Sequence, residues 1–371
     1  MQSLDERLWK PLSAFGENAP LHIETTNSSI DGVRLIDEGE KTVPYITRSD
    51  ANNGLARFVS VKNYEFGSDD GGCITVGLDT QTAFYQPHKF VTGQNVQIIT
   101  GENLDEDSAQ FWVPILRQQM TAKFNWGGNG ATLGRMKRLS VMLPVTDSGE
   151  PDYEYMAEYT RQKREAMLSK YRAYVEAHIA ELGDPVEIPA LDEKEWEPFS
   201  IVGLFSSIIP GKGKGLNHLN KVCADGVNYI GATNRNNGVL CYVEENDHSR
   251  PMILNGNCIG FIKNGDGSAG FAIYKAERFI STSDVLYGYA SWVNKFTGLF
   301  FVVAQDMIEH KYSHGYKRNK EHLAGDKVML PVTDSGKPDY EYMEQYVKNM
   351  MLRKYQQYLA FLKLGEQGAQ E

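Results

Sequence analysis

The chain has 371 residues, of which 41% are hydrophobic and 23% charged, and a formal net charge of −10. That length suits about two globular domains, each with its own core. No run of 18 apolar residues occurs, which excludes a membrane-spanning helix. Cys73, Cys223, Cys241 and Cys258 never fall in a C-x-x-C pair, which speaks against a zinc ribbon or dithiol redox motif and for free thiols in a reducing compartment. The acidic balance argues mildly against a nucleic-acid partner, but net charge hides distribution. "KFNWGGNGATLGRMKR" (123–138) and "HKYSHGYKRNK" (310–320) are basic, while acids gather in "ENLDED" and "LDEKEWE". The opening "MQSLDERLWK" lacks the apolar stretch of a signal peptide, so a cytoplasmic protein with no membrane partner is expected.

Over residues 1–150, short β-branched and aromatic runs such as "GCITVGL" and "FVTGQNVQIIT" are cut by Gly, Asn and Asp. The pattern predicts a twisted, mostly antiparallel β-rich body with long loops. A proline-bearing strand, "VMLPV" from Val141, leads into the turn "TDSG". Pro151 then sits where a first-turn proline opens a helix, with Asp152 and Glu154 suited to its positive end. Tyr153, Met156, Tyr159, Met167, Tyr171, Tyr174 and Leu182 recur mostly at three- and four-residue steps, predicting an amphipathic helix over 151–183. Gly183-Asp184-Pro185 stops it, and an acidic linker covers 184–195.

The chain then repeats this order. "VMLPVTDSGEPDYEYMAEY" at Val141 returns as "VMLPVTDSGKPDYEYMEQY" at Val328, with 16 of 19 positions identical. "WKPLSAF" at Trp9 faces "WEPFSIV" at Trp196, "VPYITRSDANNGLARFV" at Val43 faces "VNYIGATNRNNGVLCYV" at Val227, and "GGCITV" at Gly71 faces "GNCIGF" at Gly256. "GNCIGFIKNGDG", "GFAIYK" and "GLFFVVAQ" read as strands of a second body over 196–337. A second helix is expected over 338–371, with Met343, Val347, Met350, Tyr355 and Leu359 on its apolar side. A unit of about 185 residues exceeds solenoid periods, so each copy should be a domain. The fold class expected is α+β: two tandem β-rich domains, each trailed by a long helix. The helices, packed through Met156, Tyr159, Met167, Tyr171, Tyr174 and their counterparts, would form an antiparallel coiled-coil-like rod with pseudo-twofold symmetry. Packing of each helix within its own domain is the alternative.

Enzyme signatures are weak. No N-P-P-[FY] or D-P-P-[FY] tetrapeptide of adenine methyltransferases is present. "GDGSAG" at Gly265 spells G-x-G-x-x-G, but the strand-like "FAIYK" follows where a helix is required, so a hairpin is expected. "PGKGKGL" at Pro210 lacks the G-K-[ST] ending of a phosphate loop. The D-x-K at Asp192 lies in a linker, away from any strand that would complete a nuclease centre. His310 and His314 stand four apart, but the aligned Ala122 and Trp126 could not share a metal site.

The ordered series W-x-P-F/L, N-N-G, G-N/G-C-I and M-L-P-V-T-D-S-G-x-P-D-Y-x-Y-M, written twice across essentially the whole chain, resembles the specificity subunits of bacterial restriction–modification systems. The resemblance is to the BcgI-type branch, with the layout of type I subunits. It implies a non-catalytic subunit whose two bodies are target recognition domains, each reading half of a bipartite site in double-stranded DNA. The helices would set the spacing and dock methyltransferase or methyltransferase–nuclease subunits; S-adenosylmethionine and Mg would belong to those partners, with no cofactor in this chain. The other reading left open is a two-domain module for carbohydrate or protein ligands, joined dimer-like through its helices.

Recognition residues concentrate in loops, where Arg and Lys suit guanine and phosphate, and Asn and Gln suit adenine. In the first body the candidates are Arg48, Asn52, Asn53, Gln86, Lys123, Asn125, Asn129, Arg135 and Lys137. In the second they are Lys212, Lys214, Arg235, Asn236, Asn237, Lys275, Lys311, His314, Lys317 and Arg318. The Asn-Asn-Gly pairs can equally be structural turns with positive φ.

Overall fold

The computed structural model describes residues 3–16, 19–124, 130–213, 215–223, 225–313 and 315–368, with side chains described to residue 363. The chain divides into two compact units, Met1–Arg172 and Ala173–Glu371. In the first, strands β1 (Trp9–Ser13), β2 (His22–Thr25), β3 (Lys41–Ile46), β4 (Leu55–Ser60), β5 (Cys73–Gly77), β6 (Thr82–Gln86), β7 (Val91–Thr92) and β8 (Val96–Thr100) come first. Helices α1 (Glu106–Lys123) and α2 (Leu133–Met136), strand β9 (Ser140–Pro144) and the long helix α3 (Tyr153–Leu182) follow. The second unit holds β10 (Trp196–Ser200), β11 (Ser207–Pro210), β12 (Lys221–Val222), β13 (Val227–Ile230), β14 (Val239–Val243), β15 (Cys258–Ile262), β16 (Ala272–Lys275), β17 (Phe279–Ser281) and β18 (Val285–Tyr289). It continues with α4 (Lys295–Asp306), α5 (Lys320–Gly325), β19 (Lys327–Pro331) and α6 (Tyr340–Gly368).

Each body repeats one topology. A sheet in the order β2-β8-β5-β6 recurs as β11-β18-β15-β16, a smaller sheet β4-β3-β7 recurs as β14-β13-β17 with β12 added, and β1-β9 recurs as β10-β19. The pairings are antiparallel apart from β3–β7 and β13–β17. Alternation along β5 explains the layering. Ile74 and Val76 pack with Trp112 and Leu116 of α1, while Cys73 joins Ile46 and Phe90 on the small-sheet side. A strand covered on both faces reads as one apolar run, which is why "GCITVGL" was legible.

Two helices within the bodies depart from the all-strand expectation. "GLFFVVAQ" belongs to α4, and α1 occupies a stretch where no helix was expected. Both carry capping boxes: Asp105 accepts the Ser108 amide at 2.7 Å while Ser108 Oγ accepts the Asp105 amide, and Asn294 and Thr297 repeat the exchange. α4 buries Phe300 and Phe301 against the sheet while Val303 faces solvent, so its run is helical despite its strand-like composition.

The start of each long helix also differs from the proline reading. Pro151 and Pro338 form β-bridges with Val145 and Val332, two residues ahead of the first helical residue. Asp152 and Asp339 are the capping residues, accepting the amides of Tyr155 and Tyr342, each at 3.0 Å. Arg7 pairs with Asp152 and lies 4.5 Å over the Tyr155 ring; Lys194, its counterpart in the second half, pairs with Asp339 at 2.9 Å and lies 5.0 Å over Tyr342. Lys194 of the D-x-K segment is thus a structural cation.

The expected interhelical seam is corrected at its start. Met156 and Tyr159 pack into the core of the first body, and Met343 and Val347 into that of the second. Their first turns lie over the body's own α1 or α4, which reaches them before any other helix can. Farther along α3, Met167 is 72% exposed, and Tyr171 and Tyr174 are exposed too. Met350, Tyr355 and Leu359 of α6 are half-buried. Within the second unit the last turns of α3 approach α6, with His178 and Tyr355 rings 6.1 Å apart, and Asn349 bonds both backbone polar atoms of Val186. Among the described residues, no helix is long and apolar enough to cross a membrane.

Candidate nucleic-acid interface

The Asn-Asn-Gly pairs form matching turns between β3 and β4 and between β13 and β14. Asn52, Asn53 and Gly54 have φ of 50°, 54° and 79°; Asn236, Asn237 and Gly238 have 48°, 48° and 79°. Asn tolerates this left-handed region better than other side-chain-bearing residues, and glycine enters it freely. A Cβ on Gly54 would meet the Thr47 carbonyl oxygen at 2.9 Å, so the third position also needs the missing side chain. Asn237 Nδ2 donates to the Tyr274 carbonyl at 2.9 Å, and Asn236 Nδ2 to the Val239 carbonyl at 3.1 Å. These bonds fix the turns, and all four Asn residues remain at the surface.

Three candidates are corrected by burial. Gln86 is inside the first body, where its Nε2 donates to the Asn53 carbonyl and to Thr75 Oγ1, each at 3.0 Å. It braces the Asn turn from below. Lys275 is 1% exposed and its Nζ sits 2.7 Å from Glu277, a pairing that burial of a lysine demands. The same ammonium, with the Asn228 amide, outweighs the opposing effect of burial and holds the Glu277 carboxyl below its usual range.

Arg318 is fully buried. Its Nε donates to Asp326 at 2.8 Å, its Nη1 to the Gly270 carbonyl and Gln305 Oε1, and its guanidinium lies 5.3 Å over Phe261 and 5.4 Å over Tyr312. Tyr312 also donates to Asp326, at 2.7 Å. Nearby, burial raises Asp306 above the usual carboxylate range, although it accepts the Ala272 amide. Arg318 is a core residue, and the basic look of its segment is partly spent inside.

The other described candidates stay outside. Arg48 is ion-paired with Asp79; Lys137, Lys212, Arg235 and Lys317 are exposed; Lys311 lies 3.6 Å from Asp326. Lys123 donates to the Ser140 carbonyl at 3.4 Å and Arg135 to that of Gly130 at 3.0 Å. Both border a hollow of 230 Å³ completed by Phe124, Arg138 and Leu139. Arg138 was visible in the basic run "GRMKR" but was not selected by residue type alone. Asn125, Asn129, Lys214 and His314 lie outside the described residues. His310 Nδ1 is 3.2 Å from the Met307 carbonyl oxygen. The "GDGSAG" segment joins β15 to β16, an antiparallel pair, as a hairpin.

Comparison with known proteins places this geometry. The family model for the type I restriction modification DNA specificity domain matches residues 24–168 and 193–358, one segment in each half. The type II restriction enzyme BgcI specificity subunit S.BcgI of Heyndrickxia coagulans is 27% identical over 328 residues, covering 87% of this chain and 89% of that protein. The fold is that of the type I restriction-modification system S subunit from M. genitalium, at 13% identity and a TM-score of 0.50, over 98% of this chain and 95% of the other. These matches decide between the two readings of the duplicated architecture: the chain belongs to the type I restriction–modification DNA specificity family.

Proposed function

We propose that this chain is the non-catalytic specificity subunit of a cytoplasmic restriction–modification complex, each β-rich body reading one half of a bipartite duplex site. The observation that carries this reading is one strand order and one way of starting the long helix, repeated in the two halves and bearing unlike loops and corners. A duplicated reader needs the same frame twice and different surfaces. Arg48, Lys123, Arg135, Lys137, Lys212, Arg235, Lys311 and Lys317 are the proposed cationic contacts, with the Asn turns beside them; Asn125, Asn129, Lys214 and His314 belong to the same segments. Phosphate contacts would position the bodies and base contacts would specify the sequence.

The helices would pair as a spacer rod and dock methyltransferase or methyltransferase–nuclease subunits, which would bring S-adenosylmethionine and Mg. α3 has 30 residues, hence a length of roughly 45 Å at 1.5 Å per residue. One turn of B-DNA advances about 34–36 Å, so a rod of this length spans roughly 1.3 turns of the duplex. The test is selection from randomised duplex DNA by the chain co-purified with the methyltransferase subunit. Two enriched blocks separated by a fixed run of unspecified bases are expected, and exchanging one body should change one block only. An intact complex that enriches no motif would refute the reading.

A further inference from the structure

Equivalent corners of the two bodies hold their cations differently. Leu139 and Asp326 are the same position: the amide of Ala14 donates to the Leu139 carbonyl at 2.9 Å, and the amide of Ile201, its counterpart in the second half, donates to that of Asp326 at 3.1 Å. In the second body the buried Asp326 carboxylate draws the neighbouring cations inward. Arg318 is fully buried against it, Lys311 leans to within 3.6 Å, and Tyr312 donates its hydroxyl. In the first body a 230 Å³ hollow is lined by Phe124 and Leu139 together with the cations Lys123, Arg135 and Arg138. At the border of the hollow Lys123 donates to the Ser140 carbonyl and Arg135 to the Gly130 carbonyl. Arg138 is exposed and has no ion-pair partner among the described residues.

We infer that this hollow in the first body is a phosphodiester-binding site that anchors the DNA backbone, and that the second body has no such anchor at the equivalent corner. The inference rests on the DNA-specificity reading above and assigns unequal tasks to its two halves. Three cations round a hollow on one face suit the spread negative charge of a phosphate oxygen pair, with arginine able to bind it through two N–H groups. Arginine and lysine also suit guanine edges, so the selected motif is the readout that separates an anchor, which positions without reading sequence, from a base contact.

The experiment measures affinity against salt for the full chain with its methyltransferase subunit, on a fluorescent duplex carrying the selected motif. Each phosphate contact contributes about 0.9 to the slope of log affinity against log salt. Arg135→Gln/Arg138→Gln should lower the slope by about one to two, leave the enriched motif unchanged, and weaken all sequences alike. His322→Gln, at the position of the second body that matches Arg135, should leave the slope as it is. Arg138→Gln alone, whose side chain is exposed, repeats the test should the double variant fail to fold by circular dichroism. An unchanged slope with intact motif selection overturns the anchor while the specificity reading stands. A changed motif overturns it too, by showing base contact. Absence of any selected motif in the unaltered complex is the separate failure that removes the reading itself.

Discussion

Arg318→Met is the most demanding test of the second body's interior. The substitution keeps the apolar stem and deletes the guanidinium, leaving Asp326 buried with Tyr312 at 2.7 Å and Lys311 at 3.6 Å. It also strips Gln305 Oε1 of the Arg318 donor and leaves the Gly270 carbonyl to Gln305 Nε2. Removing one partner of a buried ion pair costs about 3–5 kcal/mol, because the remaining charge stays desolvated. The first body supplies the control, since its equivalent position is Leu139 in a cluster with Met136 and Val141. Arg318→Met/Asp326→Leu, which removes both charges, should therefore be less destabilising than Arg318→Met alone, as replacement of buried pairs by apolar groups commonly is. Native-state hydrogen exchange read by mass spectrometry over β19 and α5 gives the local opening free energy without requiring one transition for two domains. A loss under about 1 kcal/mol for the single variant, or a double variant worse than the single, would refute the network as a structural unit.

Three further outcomes follow from the same geometry. Burial opposes ionisation of Asp339, but the Tyr342 amide and the Lys194 ammonium outweigh it and hold its pKa below the usual range; a depressed folded pKa gives stability that is present above the unfolded value near 4 and lost as pH falls through the folded one. Asp339→Asn keeps a capping side chain and removes the charge, so it should flatten the acid limb of a stability–pH curve for the second unit; a limb of unchanged steepness would show that this carboxylate is not its source. Asn53→Gly should preserve both stability and motif, while Asn53→Ala costs about 1 kcal/mol at positive φ; loss of motif with Gly would make this side chain a base reader, checked by the same DNA selection. Four residues inserted after Ala166, in the exposed middle of α3, would lengthen a helix by about 6 Å. The spacer in the selected motif should then grow by about one or two base pairs, and a spacer of unaltered length would end the ruler proposal.

What was legible in the sequence follows physical rules, and so does what was not. β5 and β15 could be seen because both faces are covered and the runs are uninterrupted. α4 has the same composition over a similar length, and periodicity in so short a run cannot separate strand from helix. Its capping box, Asn294 with Thr297, was the available signal. Arg318 and Lys275 look like surface residues because charge predicts exposure, and only the fold brings Asp326 and Glu277 to them. The helical stripe through Met156 and Met343 correctly marks a buried face, yet spacing names no partner, and each body's own core takes the first turns.

Some contacts are kept and others changed between the two halves, the pattern that two specificities on one duplicated unit would need. Where β1 or β10 meets the start of the long helix, chemistry survives even a change of residue: Arg7 and Lys194 differ, but each pairs with an aspartate cap and covers a tyrosine ring. Trp9 and Trp196 donate to the carbonyls of Leu4 and Leu191 at 2.8 and 2.9 Å and stack on Phe111 and Phe300. These contacts set the direction in which each helix leaves its own body. One loop away, Leu139 against Asp326 changes the character of an entire corner while the backbone bond at that position is retained. Surface charge can thus diverge without moving the long helix. Under the proposed function, selection on the target sequence and selection on the spacing would act on different residues of the same body, which is the separation a bipartite reader requires.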